Sequence, residues 1–212
     1  MKNEIANETF NHGNVVYVFR HGETDWNLRG KLQGHLENSI TKNGIEQAKA
    51  LIPILKNAKV NLLLSSDLRR AKETSEIVAD ALGVPILFDS GLREVDLGEG
   101  QGKLISEVDS LFGESFWKRW NDHDPIYDSF RFPGGESKLE IDERIHSTLM
   151  KRIEMFSDRT VALCTHGYVM TRMYKMFKPE IQRIPHIQNG ECIRFQTEEF
   201  LRRERSLEKN NT

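Results

Sequence analysis

The apolar positions of this chain fall in short unbroken runs set between longer amphipathic stretches. VVYVF at 15–19 is continuous rather than alternating, the pattern of a strand buried on both faces. VNLLL at 60–64, PILFD at 85–89 and TVALCT at 160–165 read the same way, and ECIRFQ at 191–196 reads as an edge strand. Helices are predicted between them. Thr41 caps one running through GIEQAKALIPILKN, with a kink expected at Pro53. Ser66 is expected to cap DLRRAKETSEIVADAL, which stops at Gly83. Ser137 and Glu140 form a capping box for a helix reaching about Phe156, and another follows His166-Gly167 to about Lys178. Residues 99–135 are irregular, aromatic and charged, and read as an insertion with short helices. The organisation expected is a loose polar segment at 1–13, a single domain at 14–197 carrying that insert, and a charged, fraying tail at 198–212.

Strands alternating with helices predict an α/β fold, with a mostly parallel sheet covered on both faces. In such sheets ligands bind beyond the carboxyl ends of the strands. That rule sorts the polar residues. Arg20 and His21 follow the first strand, Ser66 and Arg70 the second, Arg93 and Glu94 the third, and His166 the fourth. Each alone is an ordinary loop or surface residue. Four successive strand ends carrying such groups are not ordinary.

Composition narrows the classes. Of 212 residues, 38% are hydrophobic and 29% charged, and the net charge is −2, which points to no general nucleic-acid or membrane surface. No apolar run has the length of a membrane span. The opening MKNEIANETFNHGN lacks an apolar stretch, and Cys164 and Cys192 match no disulfide or metal framework. A reduced, cytoplasmic protein is expected. Nothing in the sequence sets an oligomeric state.

Two arginines beside two histidines suit a compact, doubly charged anion, and guanidinium forks match phosphate oxygens. The helices after Ser66 and after His166-Gly167 are expected to add N-terminal N–H groups. A neutral imidazole can take a phosphoryl group covalently, and Glu94 can protonate the leaving oxygen. Rival phosphate chemistries fail: six positions after Cys164 stands Met170 rather than arginine, and Asp122 and Asp124 follow no buried strand. No Walker loop and no metal cluster is expected. Trp26, Trp117, Trp120, Phe130 and Phe132 serve either as a substrate-facing wall or as core.

These motifs resemble, in order, those of the histidine phosphatase superfamily, also called phosphoglycerate mutase-like. They are RHGET with Trp26-Asn27, LQG at 32–34, SSDLRRAKETSEI at 65–77, GLREVDLGEGQG at 91–102, PGGES at 133–137 and THG at 165–167. The resemblance implies a three-layer α/β/α sandwich with a short inserted cap segment. It implies that His21 is the phosphorylated histidine, that Arg20, Arg70 and His166 form the phosphate pocket, and that Glu94 is the proton donor. It assigns the functional role to Arg70 rather than Arg69, gives Asn27, Gln33, Gly34 and Gly167 substrate contacts, and calls for no cofactor or metal. Gly22 is read as letting backbone approach the anion. ENSIT at 37–41 departs from the family's D-x-P-L-T, and GLREVDLGEG departs from the mutase branch, which shifts weight towards hydrolysis. The reading is therefore hydrolysis of a small phosphomonoester. The alternatives are a cofactor-dependent phosphoglycerate mutase and a catalytically silent scaffold. The insert, with eight acids and four bases from Glu99 to Glu136, is expected to disfavour a polyanionic substrate.

Overall fold

The computed structural model describes residues 15–156, 159–181, 184 and 186–201. The segment expected to be loose, at 1–13, lies outside these residues, as does the tail beyond 201. In chain order the elements are β1 (Val15–Arg20), α1 (Asp25–Leu28), α2 (Lys42–Asn57), β2 (Leu62–Ser65), α3 (Arg69–Leu82), β3 (Ile86–Phe88), α4 (Val108–Phe112), α5 (Phe116–Asn121), α6 (Lys138–Met150), β4 (Val161–Thr165), α7 (Gly167–Phe177) and β5 (Cys192–Gln196). The sheet runs β3-β2-β4-β1-β5. Its first four strands are parallel, and β5 lies antiparallel to β1 at the edge.

Side-chain alternation divides the core between two faces. Ala162 and Cys164 of β4, with Phe19 and Leu63, pack against Leu51 and Leu55 of α2 and Ala71 and Val78 of α3. Val161 and Leu163, with Val18 and Leu64, pack on the other face against Ile141 and Ile145 of α6 and Val169 and Met173 of α7. The result is three layers, α/β/α. Each fully buried leucine of this kind contributes about 2 kcal/mol of apolar burial, and truncating Leu55 to alanine costs about 2–5 kcal/mol. The strand order also places the site. β2, β4 and β1 are neighbours, with Ser65 opposite Cys164 and Thr165 opposite Arg20, so three carboxyl ends meet side by side.

Three local expectations are corrected. Ser66 does not cap α3: the N-cap is Leu68, which makes no side-chain cap bond, and the Ser66 hydroxyl turns instead to His166. The helix opened by Ser137 ends at Met150, and a short 3-10 turn covers Ile153–Phe156. The start of the charged tail is docked rather than frayed, because Phe200 is fully buried 4.9 Å from the Phe177 ring and Glu199 pairs with Lys178 at 2.9 Å. α2 runs as one helix through Pro53.

The insert closes on itself at a narrow neck. Glu99 N–H donates to the Pro133 carbonyl (2.9 Å), and Glu136 N–H donates to the Asp96 carbonyl (2.8 Å). Asp96 N–H donates back to the Glu136 carboxylate (2.8 Å). Inside the insert, the Phe116 ring packs at a tilt with its centroid 4.7 Å from that of Phe132, and both belong to the core. Fully buried Lys138 fastens the end of α5, donating to the carbonyls of Arg119 (3.1 Å) and Asp122.

Candidate active site

A cleft of about 170 Å³ opens at the carboxyl edge of the sheet, with Arg20, His21, Arg70 and Glu94 in its wall. His21 leaves β1 buried, and its Nδ1–H donates to the Gly22 carbonyl at 2.7 Å. That bond fixes the tautomer and leaves Nε2 with a free lone pair. Burial, reinforced by the Arg70 and Arg20 guanidiniums, holds the imidazole pKa well below its ordinary 6.5. The ring is therefore neutral at neutral pH.

Arg70 is completely buried. It donates to the carbonyls of Leu36 (3.0 Å) and Gly34 (2.8 Å), and burial lowers its pKa to about 10, which keeps it charged. Arg69, one position away, is exposed and pairs with Glu73 at 2.9 Å. Arg20 donates to the Ile187 carbonyl at 2.7 Å, and burial lowers its pKa too. Gly167 admits this guanidinium, since a Cβ there would lie 3.1 Å from Arg20 Cζ and Nε. The His166 ring centroid is 5.1 Å from that of His21, and His166 Nε2 meets the Ser66 hydroxyl at 2.8 Å. Because Ser66 Oγ accepts from Leu68 N–H (3.3 Å), its own proton is free to go to Nε2, which leaves the His166 proton on Nδ1. Burial, first, and then Arg70 hold the His166 pKa down as well.

Among the described residues near His21, Arg20 Nε, Arg70 Nε, His166 Nδ1 and Gln33 Oε1 are buried with no hydrogen-bond partner, as are a few atoms elsewhere such as His123 Nδ1 and Arg172 Nη1. Buried polar groups of a folded protein are almost always paired. Three unpaired donors around one neutral imidazole are the donor set that a phosphoryl group satisfies.

Glu94 is held by backbone. Its carboxylate accepts from the N–H groups of Val95 (3.1 Å), Tyr168 (3.3 Å) and Val169 (3.3 Å). The first turn of α7 is thus engaged by Glu94, and the Arg69 N–H at the start of α3 donates to Glu37 at 2.7 Å. Both helix N-termini expected to receive an anion from solution are already engaged by side chains of the chain itself, Glu94 and Glu37. Gly22 is a further correction. A Cβ on it would lie 2.9 Å from Cα and C of Gly44, and closer still to the Gly44 oxygen, so its small size serves the approach of α2 rather than the cleft.

Asn27, Gln33 and Gly34 line the cleft. Asn27 Oδ1 accepts from Thr24 N–H (3.1 Å) and from Asn189 Nδ2 (3.3 Å). Asn189 also donates to the His21 carbonyl at 3.0 Å, a contact across 168 positions that nothing in the sequence signals. Arg144 was missed in the same way. Its guanidinium holds the carbonyls of Gly91 (2.9 Å), Arg93 (2.9 Å) and Glu94 (3.3 Å) while pairing with Glu136 at 2.7 Å. Thr74 accepts from Gly22 N–H at 2.9 Å and donates to the Arg70 carbonyl at 2.7 Å, linking the two segments. The aromatic residues divide between roles: Phe132 is core, Trp120 is both core and cleft wall, and half-buried Trp117 faces the cleft.

A doubly covered, mostly parallel sheet with a neutral histidine, two guanidiniums and a carboxyl group at its carboxyl edge is the framework of a phosphate-handling enzyme. The chain belongs to the histidine phosphatase superfamily, whose branch 1 model matches residues 16–208. A relative from Salmonella choleraesuis, named as a probable phosphoglycerate mutase, is 36% identical over 155 residues, 73% of this chain and 70% of that protein. Bacillus stearothermophilus YhfR superposes with a TM-score of 0.75 at 26% identity, over 85% of this chain and 90% of its own. A mycobacterial glucosyl-3-phosphoglycerate phosphatase gives 0.74 at 24% identity over 85% and 90%, a likeness of fold. Among the described residues no helix is long and apolar enough to cross a membrane.

Proposed function

We propose that the protein hydrolyses a small phosphomonoester in the cytoplasm through a phosphohistidine, with no metal ion in the chemistry. The observation that carries this reading is the His21 ring: neutral, tautomerically fixed by the Gly22 carbonyl, and flanked by half-buried Arg20 and fully buried Arg70. In the first step the His21 Nε2 lone pair forms a bond to phosphorus. The P–O ester bond breaks, and the leaving oxygen takes a proton from Glu94. In the second step a water oxygen attacks phosphorus, the N–P bond breaks, and the Glu94 carboxylate receives the water's proton. Arg20, Arg70 and His166 Nδ1–H hold the transferring group, so the positive charge comes from side chains. A silent scaffold has no use for three unpaired buried donors around a neutral imidazole.

The mutase name of the Salmonella relative favours a second reading, in which the phosphoryl group returns to another hydroxyl. Release of inorganic phosphate against isomerisation of phosphoglycerate separates the two. The covalent step is tested by quenching turnover of a labelled aryl phosphate without acid, in EDTA. The expected result is an acid-labile, base-stable label on His21 that is absent from His21→Ala, together with undiminished turnover. Label on another residue, or turnover abolished by EDTA and restored by a divalent ion, defeats the mechanism.

A further inference from the structure

We infer that α5 and the turn before α4 form a leaving-group subsite for an alcohol with a flat apolar body, and that Trp117 is its specificity-determining residue. The inference rests on the hydrolytic reading above and names the class of ester it acts on.

The cleft has two chemically different halves. Arg20, His21, Arg70 and Glu94 make the floor at the sheet edge. Facing them, the insert contributes Ile105, Trp117, Trp120 and Asn121, and the adjoining segment contributes Leu97. None of these five is charged. The eight acids of the insert do not line the cleft: Glu107 caps a turn at Leu104 N–H, Asp109 accepts from Trp117 N–H, and Asp124 caps the turn at Ile126 N–H. The surface in contact with a ligand is uncharged and selects by shape and apolarity.

The two tryptophans are built differently. Trp120 is almost fully buried, stacked on Tyr168 at 4.9 Å and 16°, and its position is fixed by packing. Trp117 is half-buried, so its ring is the part of the wall a ligand can cover. Aromatic faces of this kind reward stacking by another flat apolar group. The only cation among the cleft residues beyond the two arginines is Lys31, whose Nζ lies over the Trp26 ring at 5.4 Å. A second phosphate would find one lysine and an apolar wall. The cleft is also small beside the roughly 300–1,000 Å³ of drug-sized ligand sites, which restricts the alcohol to a compact body such as a single ring.

The test compares esters whose leaving alcohols are similarly basic, so that differences report binding rather than bond lability. Benzyl phosphate, ethyl phosphate and 3-phosphoglycerate are assayed by phosphate release, with p-nitrophenyl phosphate as the reference for chemistry. In the wild-type protein kcat/KM for benzyl phosphate should exceed that for the other two alkyl esters by about tenfold or more, mainly through KM. Trp117→Ala should remove most of that advantage while lowering ethyl phosphate turnover far less. Ile105→Asp, at a partly exposed position, places a charge in the wall without opening the core, and should depress benzyl phosphate selectively. Equal or better turnover of 3-phosphoglycerate, or a uniform loss across all esters in both variants, overturns the subsite and leaves the hydrolytic reading standing. Absence of turnover for all four esters overturns both.

Discussion

Replacing Gly22 with alanine distinguishes a glycine that packs from a glycine that serves the ligand. The added methyl would lie 2.9 Å from both Cα and C of Gly44 and nearer still to the Gly44 oxygen. Carbon atoms at rest sit about 3.5–4.0 Å apart, so the first turn of α2 and the loop after β1 must separate by about 0.6 Å or more. Relief by a side-chain rotation is unavailable, because all three obstructing atoms are backbone. The approach is mutual, since a Cβ on Gly44 would stand 2.9 Å from Glu23 N and Ile40 Cβ. Overpacking of this size costs about 1–3 kcal/mol. For a chain of this length that corresponds to a fall in Tm of about 2–12 °C. The displaced atoms include the carbonyl that holds His21 Nδ1, so the imidazole shifts with them. A catalytic group misplaced by that distance loses about tenfold to a hundredfold in kcat. Calorimetry and steady-state turnover of p-nitrophenyl phosphate on Gly22→Ala measure both quantities. Unchanged Tm with full turnover refutes the packing argument. Unchanged Tm with weakened inhibition by inorganic phosphate would restore the glycine to the anion site.

Arg70→Ala should cut kcat/KM by about 10²–10³, as loss of a transition-state charge contact does, whereas Arg69→Ala, which breaks an exposed ion pair worth under about 1 kcal/mol, should stay near wild type; the reverse ranking in steady-state kinetics refutes the assignment. Because burial depresses the folded pKa values of His21 and His166, the unfolded chain binds the extra protons, so stability falls as pH drops below 6.5 while both folded rings remain neutral there. An NMR titration showing either imidazole charged at 6.5 contradicts the burial argument. Glu94→Gln should lower turnover of an alkyl phosphate by about 10²–10⁴ and of p-nitrophenyl phosphate far less, since nitrophenolate leaves without a proton; equal losses make Glu94 a structural residue.

Much of the fold was legible because each central strand is a continuous apolar run, which a helix face cannot produce at that length. The gathering of Arg20, His21, Arg70, Glu94 and His166 followed from one topological rule applied to those runs. Contacts made across the chain were not legible. Asn189 reaches His21, and Arg144 reaches the 91–94 loop, through three-dimensional proximity that leaves no local pattern. Ser66 stands where a cap is expected, yet its hydroxyl is taken by His166, 100 positions away. The orientation of the insert's acids was hidden for another reason: α4 and α5 are too short for a helical period to declare which side faces the cleft.

The neck of the insert has a consequence for how such a protein can diversify. Asp96, Glu99, Pro133 and Glu136 close the two ends of the insert through backbone-directed bonds, and these use the side chain of only one residue, Glu136. Arg144 then ties that same Glu136 to the carbonyl of Glu94. The insert is also stitched to the body inside this knot: Leu32 N–H donates to the Lys103 carbonyl (2.9 Å), Gly102 N–H to the Leu32 carbonyl (2.8 Å) and Ile105 N–H to the Gly30 carbonyl (2.9 Å), while Trp120 stacks on Tyr168 of α7. The stretches between these fixed points can drift or lengthen while the floor of the cleft keeps its geometry, so long as the core aromatics and Lys138 beneath them stay in place. New substrate ranges are then reachable by rewriting one loop, without renegotiating the chemistry it covers.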